Sequence, residues 1–283
     1  MEQKTKKQKF TGERLIPEVI SEDTFLHLHR YAIAFDYIID KEVVDIACGE
    51  GYGSFLMSKY AKNVTGIDID EDTIINANSK YKNNNLSYLQ GDVSKIPLQS
   101  STIDVVVSFE TIEHTTIDVV VSFETIEHTT MHNEMIQEIK RVLKPDGLLI
   151  MSSPDKKNYS DKRGFNNQFH VKELYLEEFE NLIKKYFKYD KMLFQRYFHG
   201  SMVFSEGNIE KITEFRGDFD KIDEFDFFDS MIFNIALASD DEIDFNKNAS
   251  VFDATNFVSE VFNSKTYKLA NIIAKPFRYL MKK

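Results

Sequence analysis

The chain has little of what a secreted or membrane-spanning protein needs. Among its 283 residues there are no tryptophans and one cysteine, Cys48, so no internal disulfide can form. No apolar run reaches the roughly 18 residues that a membrane helix requires. The lysine-rich start is not followed by the apolar stretch of a signal peptide. A disulfide-free chain is typical of reducing compartments, so the sequence predicts a cytoplasmic protein.

Positive charge is also scarce over most of the chain. The net charge of −11 argues against broad binding to nucleic acid, and no nucleic-acid partner is expected. The last twenty residues differ, because they carry six cations and no acid among apolar residues. A basic amphipathic tail is typical of a helix lying in a membrane interface, and equally of a helix that docks on its own domain or on a second copy. For residues 264–283 we therefore predict peripheral contact with the inner face of a membrane, with docking as the alternative.

Apolar periodicity divides the chain into three parts. Residues 1–24 are polar and predict a flexible arm, residues 25–240 alternate between strand and helix patterns, and residues 241–283 form the tail. The predicted strands are 43–47, 64–69, 86–90, 104–109 or its copy, 148–152, 192–197 and 231–238. This alternation predicts an α/β domain with a mostly parallel sheet and helices on both faces. An acidic, phenylalanine-rich stretch at about 206–228 is interpreted as an insert.

A glycine-rich loop follows the first predicted strand. Small residues occupy every second position, at Ala47, Gly49, Gly51 and Gly53, behind Asp45. Small residues let the backbone approach a ligand closely, and the following helix directs free N–H groups at it. Because the acid repels phosphate and suits an ammonium group, the loop favours a ligand with an amino-acid end over a dinucleotide. The dinucleotide pattern G-x-G-x-x-G is absent.

Two further acids follow the next two strands. Asp68 ends the second strand about 20 residues after the loop, where a carboxylate can accept both hydroxyls of a ribose. Asp92, in Gly91-Asp92-Val93, follows the third strand and could accept a hydrogen bond from an adenine amino group. Each alone is typical of a surface carboxylate. Together they form the crevice expected at the carboxyl ends of such strands.

Residues 102–115 and 116–129 are identical, TIDVVVSFETIEHT twice. A true repeat architecture needs several diverged units, so this pair indicates a recent duplication or an error of assembly. A parallel sheet has one place for this strand, and the other copy must loop out. The sequence does not decide which copy is used. The direct continuation of the second copy into the helix that follows favours the second.

The chain resembles the class I S-adenosylmethionine (SAM) dependent methyltransferases over roughly residues 25–240. The motifs that carry the resemblance are VVDIACGEGYG, VTGIDID, LQGDVSKIPL, VVVSFETIEH and EIKRVLKPDGLLIMSSP. It implies a Rossmann-like fold with a mostly parallel seven-stranded sheet, and SAM as cofactor. The implied cofactor residues are Asp45, Ala47 (a glycine in the family), Gly49 and Gly51 at the methionine end, Asp68 and Ile69 at the ribose, and Asp92 and Val93 at the adenine. The segment HLHRY resembles the N-terminal cap of relatives from bacterial surface-polysaccharide clusters, which implies that Arg30 or Tyr31 reaches the SAM carboxylate.

A second constellation is Glu-x-x-Glu-His, which occurs once in each copy and precedes a later histidine. Its residues are Glu124, Glu127 and His128, or Glu110, Glu113 and His114 if the first copy occupies the sheet, followed by His170. The pattern resembles the metal site of small-RNA 2′-O-methyltransferases and, in part, that of ubiquinone-biosynthesis O-methyltransferases. Two carboxylates and two imidazoles suit Mg²⁺ or Mn²⁺. The alternative is a metal-free site in which Glu124 and His128 line the SAM pocket and His128 or His170 is the general base.

The predicted function is O-methylation of a sugar or glycan in cell-surface polysaccharide synthesis. One alternative acceptor is a small metabolite of the quinone-precursor type. Another is a non-catalytic SAM-fold scaffold that the duplication has inactivated. A nicotinamide-dependent sugar epimerase is disfavoured, because its Tyr-x-x-x-Lys pattern occurs only before the loop and at the extreme tail.

Overall fold

A computed structural model describes seven stretches of the chain: residues 22–109, 126–167, 170–196, 213–217, 221–226, 231–245 and 249–254. Nearly all of the predicted arm and most of the predicted basic tail lie outside them. So do Glu110, Glu113, His114 and Glu124, and the side chain of His128.

Five α-helices and nine strands make up the described fold. The helices are α1 (Glu22–Ile38), α2 (Tyr52–Met57), α3 (Glu71–Lys80), α4 (His132–Val142) and α5 (Leu176–Tyr186). The strands are β1 (Glu42–Ile46), β2 (Asn63–Asp68), β3 (Leu86–Gln90), β4 (Ile103–Ser108), β5 (Leu143–Pro154), β6 (Tyr189–Gln195), β7 (Thr213–Gly217), β8 (Ile222–Asp226) and β9 (Phe233–Ser239). One 3₁₀ turn, Ile126–His128, precedes α4, and one π-helical turn, Lys157–Asp161, follows β5.

Seven strands form one sheet in the order β3-β2-β1-β4-β5-β9-β6. β9 pairs antiparallel with both β5 and β6, and the other pairs are parallel, so six strands run one way. Side chains of the central strands alternate between the two faces of the sheet and form a hydrophobic core on each. One packs against α1 and α2, and the other against α4 and α5. The predicted mostly parallel, seven-stranded sheet with helices on both faces is confirmed.

The duplicated segment is divided between two places, which corrects the expectation that the second copy forms the strand. β4 comes from the first copy, whereas the 3₁₀ turn from Ile126 onward comes from the second. Residue identity cannot decide between equal strands, so chain connectivity does. With this division the chain runs directly into β4 from the residues before it, and the 3₁₀ turn is followed directly by α4. The surplus lies within 110–125, outside the described residues.

The predicted acidic insert contains structure that the sequence pattern did not indicate. β7 and β8 pair antiparallel as a separate two-stranded sheet, with Thr213 opposite Asp226 and Gly217 opposite Ile222. The helix after the glycine-rich loop is short, because α2 ends at Met57 and a turn follows. The order of the sheet reverses at β1, which is followed by β2 on one side and flanked by β4 on the other. A crevice therefore opens at the carboxyl ends of β1 and β4, where ligands of such sheets bind.

Candidate active site

The glycine-rich loop turns tightly at the carboxyl end of β1. The Gly51 N–H donates to the Cys48 carbonyl at 2.9 Å, and the Cys48 N–H donates to Ile67 of β2 at 3.0 Å. Three loop residues are left-handed: Ala47 (φ 60°), Gly49 (φ 51°) and Gly51 (φ 80°). Glycine adopts this backbone freely, but alanine is strained there by about 1–2 kcal/mol. Alanine at position 47, where the family has glycine, is therefore unfavourable for the backbone conformation, although its side chain is small.

Asp68 ties the loop to the end of β2. Its Oδ2 accepts from the Gly49 N–H at 3.0 Å, and its Oδ1 accepts from the Asp70 N–H at 3.0 Å. The carboxylate is almost fully buried. A buried anion needs such donors. The glycine-rich loop and the Asp68 carboxylate, which is predicted to bind the ribose, therefore hold each other in place.

Tyr88 of β3 packs against the same loop and stabilises it, and the sequence analysis missed this residue. Its hydroxyl donates to the Gly51 carbonyl at 2.6 Å, and a Cβ added to Gly51 would lie 2.7 Å from its ring. Burial, with nearby Cys48, Asp45 and Tyr81, raises the pKa of this hydroxyl, which stays protonated as a donor. No local pattern in the sequence indicated this contact, although Tyr88 is the one buried residue of β3.

Asp45 and Cys48 lie in the buried floor of the loop. The Ser54 hydroxyl donates to Asp45 Oδ2 at 2.6 Å, which orients the carboxylate expected to meet the cofactor ammonium group. Burial, together with the charges of Asp68 and Asp45, raises the pKa of the Cys48 thiol well above its usual value. The thiol therefore stays protonated, and only thiolates are good nucleophiles.

The predicted adenine end lies at the carboxyl ends of β2 and β3. Asp92 is exposed, and its Oδ1 accepts from the backbone N–H and the hydroxyl of Ser94, both at 2.7 Å. Val93 packs against the α4–α5 core. The Ile69 carbonyl accepts from the Gln90 side chain at 3.0 Å. The structure thus brings these residues to the carboxyl ends of the strands, where the glycine-rich loop also lies.

The two cap residues of α1 go to different places. Tyr31 covers the cofactor loop so closely that a Cβ on Gly53 would lie 1.9 Å from its hydroxyl oxygen. Its ring also meets Phe109, just after β4, edge-on at 5.3 Å. Arg30 turns instead toward the far strands, where its Nε donates to Gln195 Oε1 at 2.7 Å and its guanidinium lies 4.6 Å from the Phe233 ring. Tyr31 is thus at the predicted cofactor site, while Arg30 makes contacts with β6 and β9.

His170 lies between two carboxylates at the carboxyl end of β5. Its Nε2 is 3.9 Å from Oε1 of Glu127, and its Nδ1 is hydrogen-bonded to Glu173. All three side chains are at least nine-tenths buried. The sequence analysis named Glu127 and His170 but missed Glu173, although its spacing of three residues from His170 was a usable signal.

The surroundings of this histidine fix its geometry. The N–H groups of Val171 and Lys172 donate to the Glu127 carbonyl at 2.9 and 2.8 Å, so the 3₁₀ turn is joined to the His170 segment. The Ser160 hydroxyl donates to Glu173 at 2.7 Å. Burial raises the pKa of Glu173, but the hydrogen bonds from His170 and Ser160 outweigh it, so that this pKa lies below its usual value. Glu173 is therefore an anion that holds the Nδ1 side of the ring.

Aromatic rings surround His170, and together with Glu127 and Glu173 they form what we call the acceptor half of the site. Tyr159, on the π-helical turn, stacks on the His170 ring with centroids 5.3 Å apart and also meets Phe165 and Phe233. Of the four predicted metal ligands, the structure brings Glu127 and His170 together. Within the described stretches, no three acidic, cysteine or histidine residues are arranged to hold a metal ion.

Comparison with known proteins identifies the family. A family described as a methyltransferase domain matches residues 38–196, more than half of the chain. A Mycolicibacterium smegmatis protein named "Probable S-adenosylmethionine-dependent methyltransferase" is 30% identical over 177 residues, which are 62% of this chain and 63% of that protein. A ubiquinone biosynthesis O-methyltransferase of Actinobacillus pleuropneumoniae is 32% identical over 123 residues, 41% of this chain and 47% of that enzyme.

A solved structure supports the fold. A SAM-dependent methyltransferase of Thermotoga maritima, described as a possible histamine N-methyltransferase, superposes with a TM-score of 0.51 at 16% identity over 78% of this chain and 91% of its own. The matches to the two curated relatives each span less than two thirds of the relative's length. The Asp45–Gly51 loop and the Asp68 carboxylate fall inside the matched family region. The chain therefore belongs to the methyltransferase-domain family of the class I, SAM-dependent methyltransferases.

Proposed function

We propose that this chain is a SAM-dependent O-methyltransferase whose acceptor is a hydroxyl of a sugar or glycan, in the synthesis of a cell-surface polysaccharide. The observation that carries the proposal is His170, buried between Glu173 and Glu127 beside the crevice that the cofactor loop borders. An imidazole oriented in this way can take a proton from an acceptor hydroxyl. The polysaccharide context comes from the resemblance of the HLHRY segment to the N-terminal cap of relatives from surface-polysaccharide clusters.

The chemistry asks mainly for alignment. The sulfonium of SAM supplies an activated methyl group, so the protein must place the acceptor oxygen in line with the methyl carbon and keep water out. The loop, Asp68 and Tyr31 would hold the cofactor. In the acceptor half, His170 Nε2 would accept the hydroxyl proton, while Glu173 holds Nδ1 and keeps the ring in one orientation.

The first experiment is calorimetric titration with SAM and S-adenosylhomocysteine. It compares the full chain with a chain lacking residues 116–129, which has the same sequence whichever copy is removed. Micromolar binding by both supports the proposal and shows that the surplus residues leave the cofactor site intact. Binding by the shortened chain alone favours the inactivated scaffold. Absence of binding by both folded chains contradicts the proposed activity.

A quinone precursor is the second candidate acceptor, favoured by the similarity to the ubiquinone biosynthesis O-methyltransferase. Transfer of a labelled methyl group to a panel of nucleotide sugars and to a polyprenylated catechol separates the two. Labelling of sugars alone supports the first candidate. Labelling of the catechol alone replaces it with the second.

We also propose a metal-dependent version of this mechanism, in which a divalent ion binds beside His170. Glu127 and His170 supply oxygen and nitrogen donors of the kind that Mg²⁺ and Mn²⁺ accept, with Glu124 and His128 as the further ligands. A bound ion would lower the pKa of the acceptor hydroxyl. Dialysis against a chelator followed by addition of Mn²⁺ tests this form. Full activity of the chelated protein would leave His170 acting as a base without metal.

Contact with the inner face of a membrane is proposed for residues 264–283. Within the part of the chain that the structure describes, no helix is long and apolar enough to cross a bilayer. Co-sedimentation with anionic vesicles, with and without these residues, measures the contact. Equal binding of both chains would contradict it.

A further inference from the structure

Positive charge gathers beside the acceptor half of a chain whose net charge is −11. Residues 156–163 contain four cations and one acid, and Lys172 follows His170 by two residues. Lys156 is occupied, since its ammonium donates to Asp161 and to the Tyr175 hydroxyl, both at 2.9 Å. Arg163 and Lys172 have no such acidic partner among the described residues.

The guanidinium group of Arg163 packs against two aromatic rings next to His170. Its guanidinium carbon is 5.7 Å from the ring centroids of both Tyr159 and Phe165, and Tyr159 stacks in turn on His170. A cation–π contact uses the ring faces and leaves the N–H groups at the edge of the guanidinium available to an anion. The Phe165 ring is 46% exposed, so an apolar face lies next to this cation.

Lys172 follows His170 by two residues in the chain. Its backbone N–H donates to the Glu127 carbonyl at 2.8 Å, which fixes the residue beside the site. Its ammonium is near enough to act on His132, whose pKa is lowered first by burial and then by this charge. The acids nearby are already engaged, Glu173 with His170 and Asp161 with Lys156.

Arg163 is thus connected to His170 through Tyr159, and the Lys172 backbone through Glu127, and a neutral acceptor would make no use of either charge. A phosphate group would satisfy both, since Arg can bind two of its oxygens and Lys adds a point charge. We propose that Arg163 and Lys172 bind a phosphate group of the acceptor, with Phe165 as an apolar face beside it. The inference rests on the proposed function, which it deepens by giving the acceptor a charge. The same group occurs in nucleotide-linked sugars and in lipid-linked glycans.

The test uses the full chain saturated with S-adenosylhomocysteine. The probes are pyrophosphate, UDP-glucose, and farnesyl diphosphate in phosphatidylcholine vesicles, with methyl glucoside as the uncharged comparison. Arg163→Gln and Lys172→Gln should each weaken pyrophosphate binding about tenfold, and added salt should weaken it further. Lys82→Gln is the matched control, because Lys82 is an exposed cation that precedes β3, at the opposite edge of the sheet from the site.

The outcomes separate the two proposals. Tighter binding of UDP-glucose than of pyrophosphate identifies a nucleotide-linked acceptor, and tighter binding of the vesicles identifies a lipid-linked one. Failure of all three diphosphates to bind at millimolar concentration overturns the inference, as does binding that the Arg163 and Lys172 substitutions leave unchanged. Failure to bind S-adenosylhomocysteine overturns the proposed function instead, and it is measured separately.

Discussion

The two halves of the site are built in different ways. The cofactor half consists of a loop and strand ends that follow one another along the chain, so that Gly49 and the Asp68 carboxylate that holds it are 19 residues apart. The acceptor half joins distant side chains. Glu127 lies against His170, Tyr159 meets Phe233 of β9, and the turn at Glu127 is held by the segment after His170. The first half depends on backbone shape, and the second on side-chain placement.

The largest expected effect is in the cofactor half. Asp68→Ala should weaken SAM affinity about 10- to 100-fold, because a buried charged hydrogen-bond acceptor is worth roughly 1.5–3 kcal/mol and Gly49 also loses its partner. Titration calorimetry measures it. Asp72→Ala removes an exposed carboxylate in the first turn of α3 and should leave affinity unchanged. Equal affinity of the Asp68 variant and the parent would mean that the ribose binds elsewhere.

The acceptor half should respond in turnover and not in cofactor affinity. Glu173→Gln removes the anion that holds His170 Nδ1, and we expect turnover to fall about 10- to 100-fold, as for other groups that orient a functional histidine. SAM affinity should stay within a factor of two. Glu180→Gln, on the exposed side of α5, is the control. A parallel loss of SAM affinity would show that the two halves are not separable.

Close backbone packing makes the cofactor half sensitive to one added methyl group. Gly53→Ala places a Cβ 1.9 Å from the Tyr31 hydroxyl, so the buried Tyr31 ring must shift, at a cost of about 2 kcal/mol in the free energy of unfolding. Gly164→Ala is the matched comparison, because Gly164 has open space around it and only its positive φ of 59° opposes alanine. That change should cost about 1 kcal/mol. Urea denaturation distinguishes the two, and equal losses would contradict the packing argument.

The smallest expected effect is a gain. Ala47→Gly removes the strain of a left-handed alanine, and after the greater unfolded-state freedom of glycine is subtracted the protein should be more stable by about 0.5–1 kcal/mol. Thermal unfolding measures the change. Ala77→Gly, within α3, should instead lose about 1 kcal/mol. A loss at Ala47 as large as at Ala77 would show that the loop is unstrained.

The sequence by itself determined the alternation of strands and helices, the loop behind Asp45 and the acids at the ends of β2 and β3. These features are local, since a strand that ends in small residues and an acid brings its own ligand groups to the sheet edge. Only the tertiary structure decided which copy forms β4, that β9 lies antiparallel between β5 and β6, and that Tyr88 supports the site. Identical strands compete equally for one place, and a brace across the fold has no periodic signal. Both are therefore settled by connectivity and by packing between residues far apart in the chain.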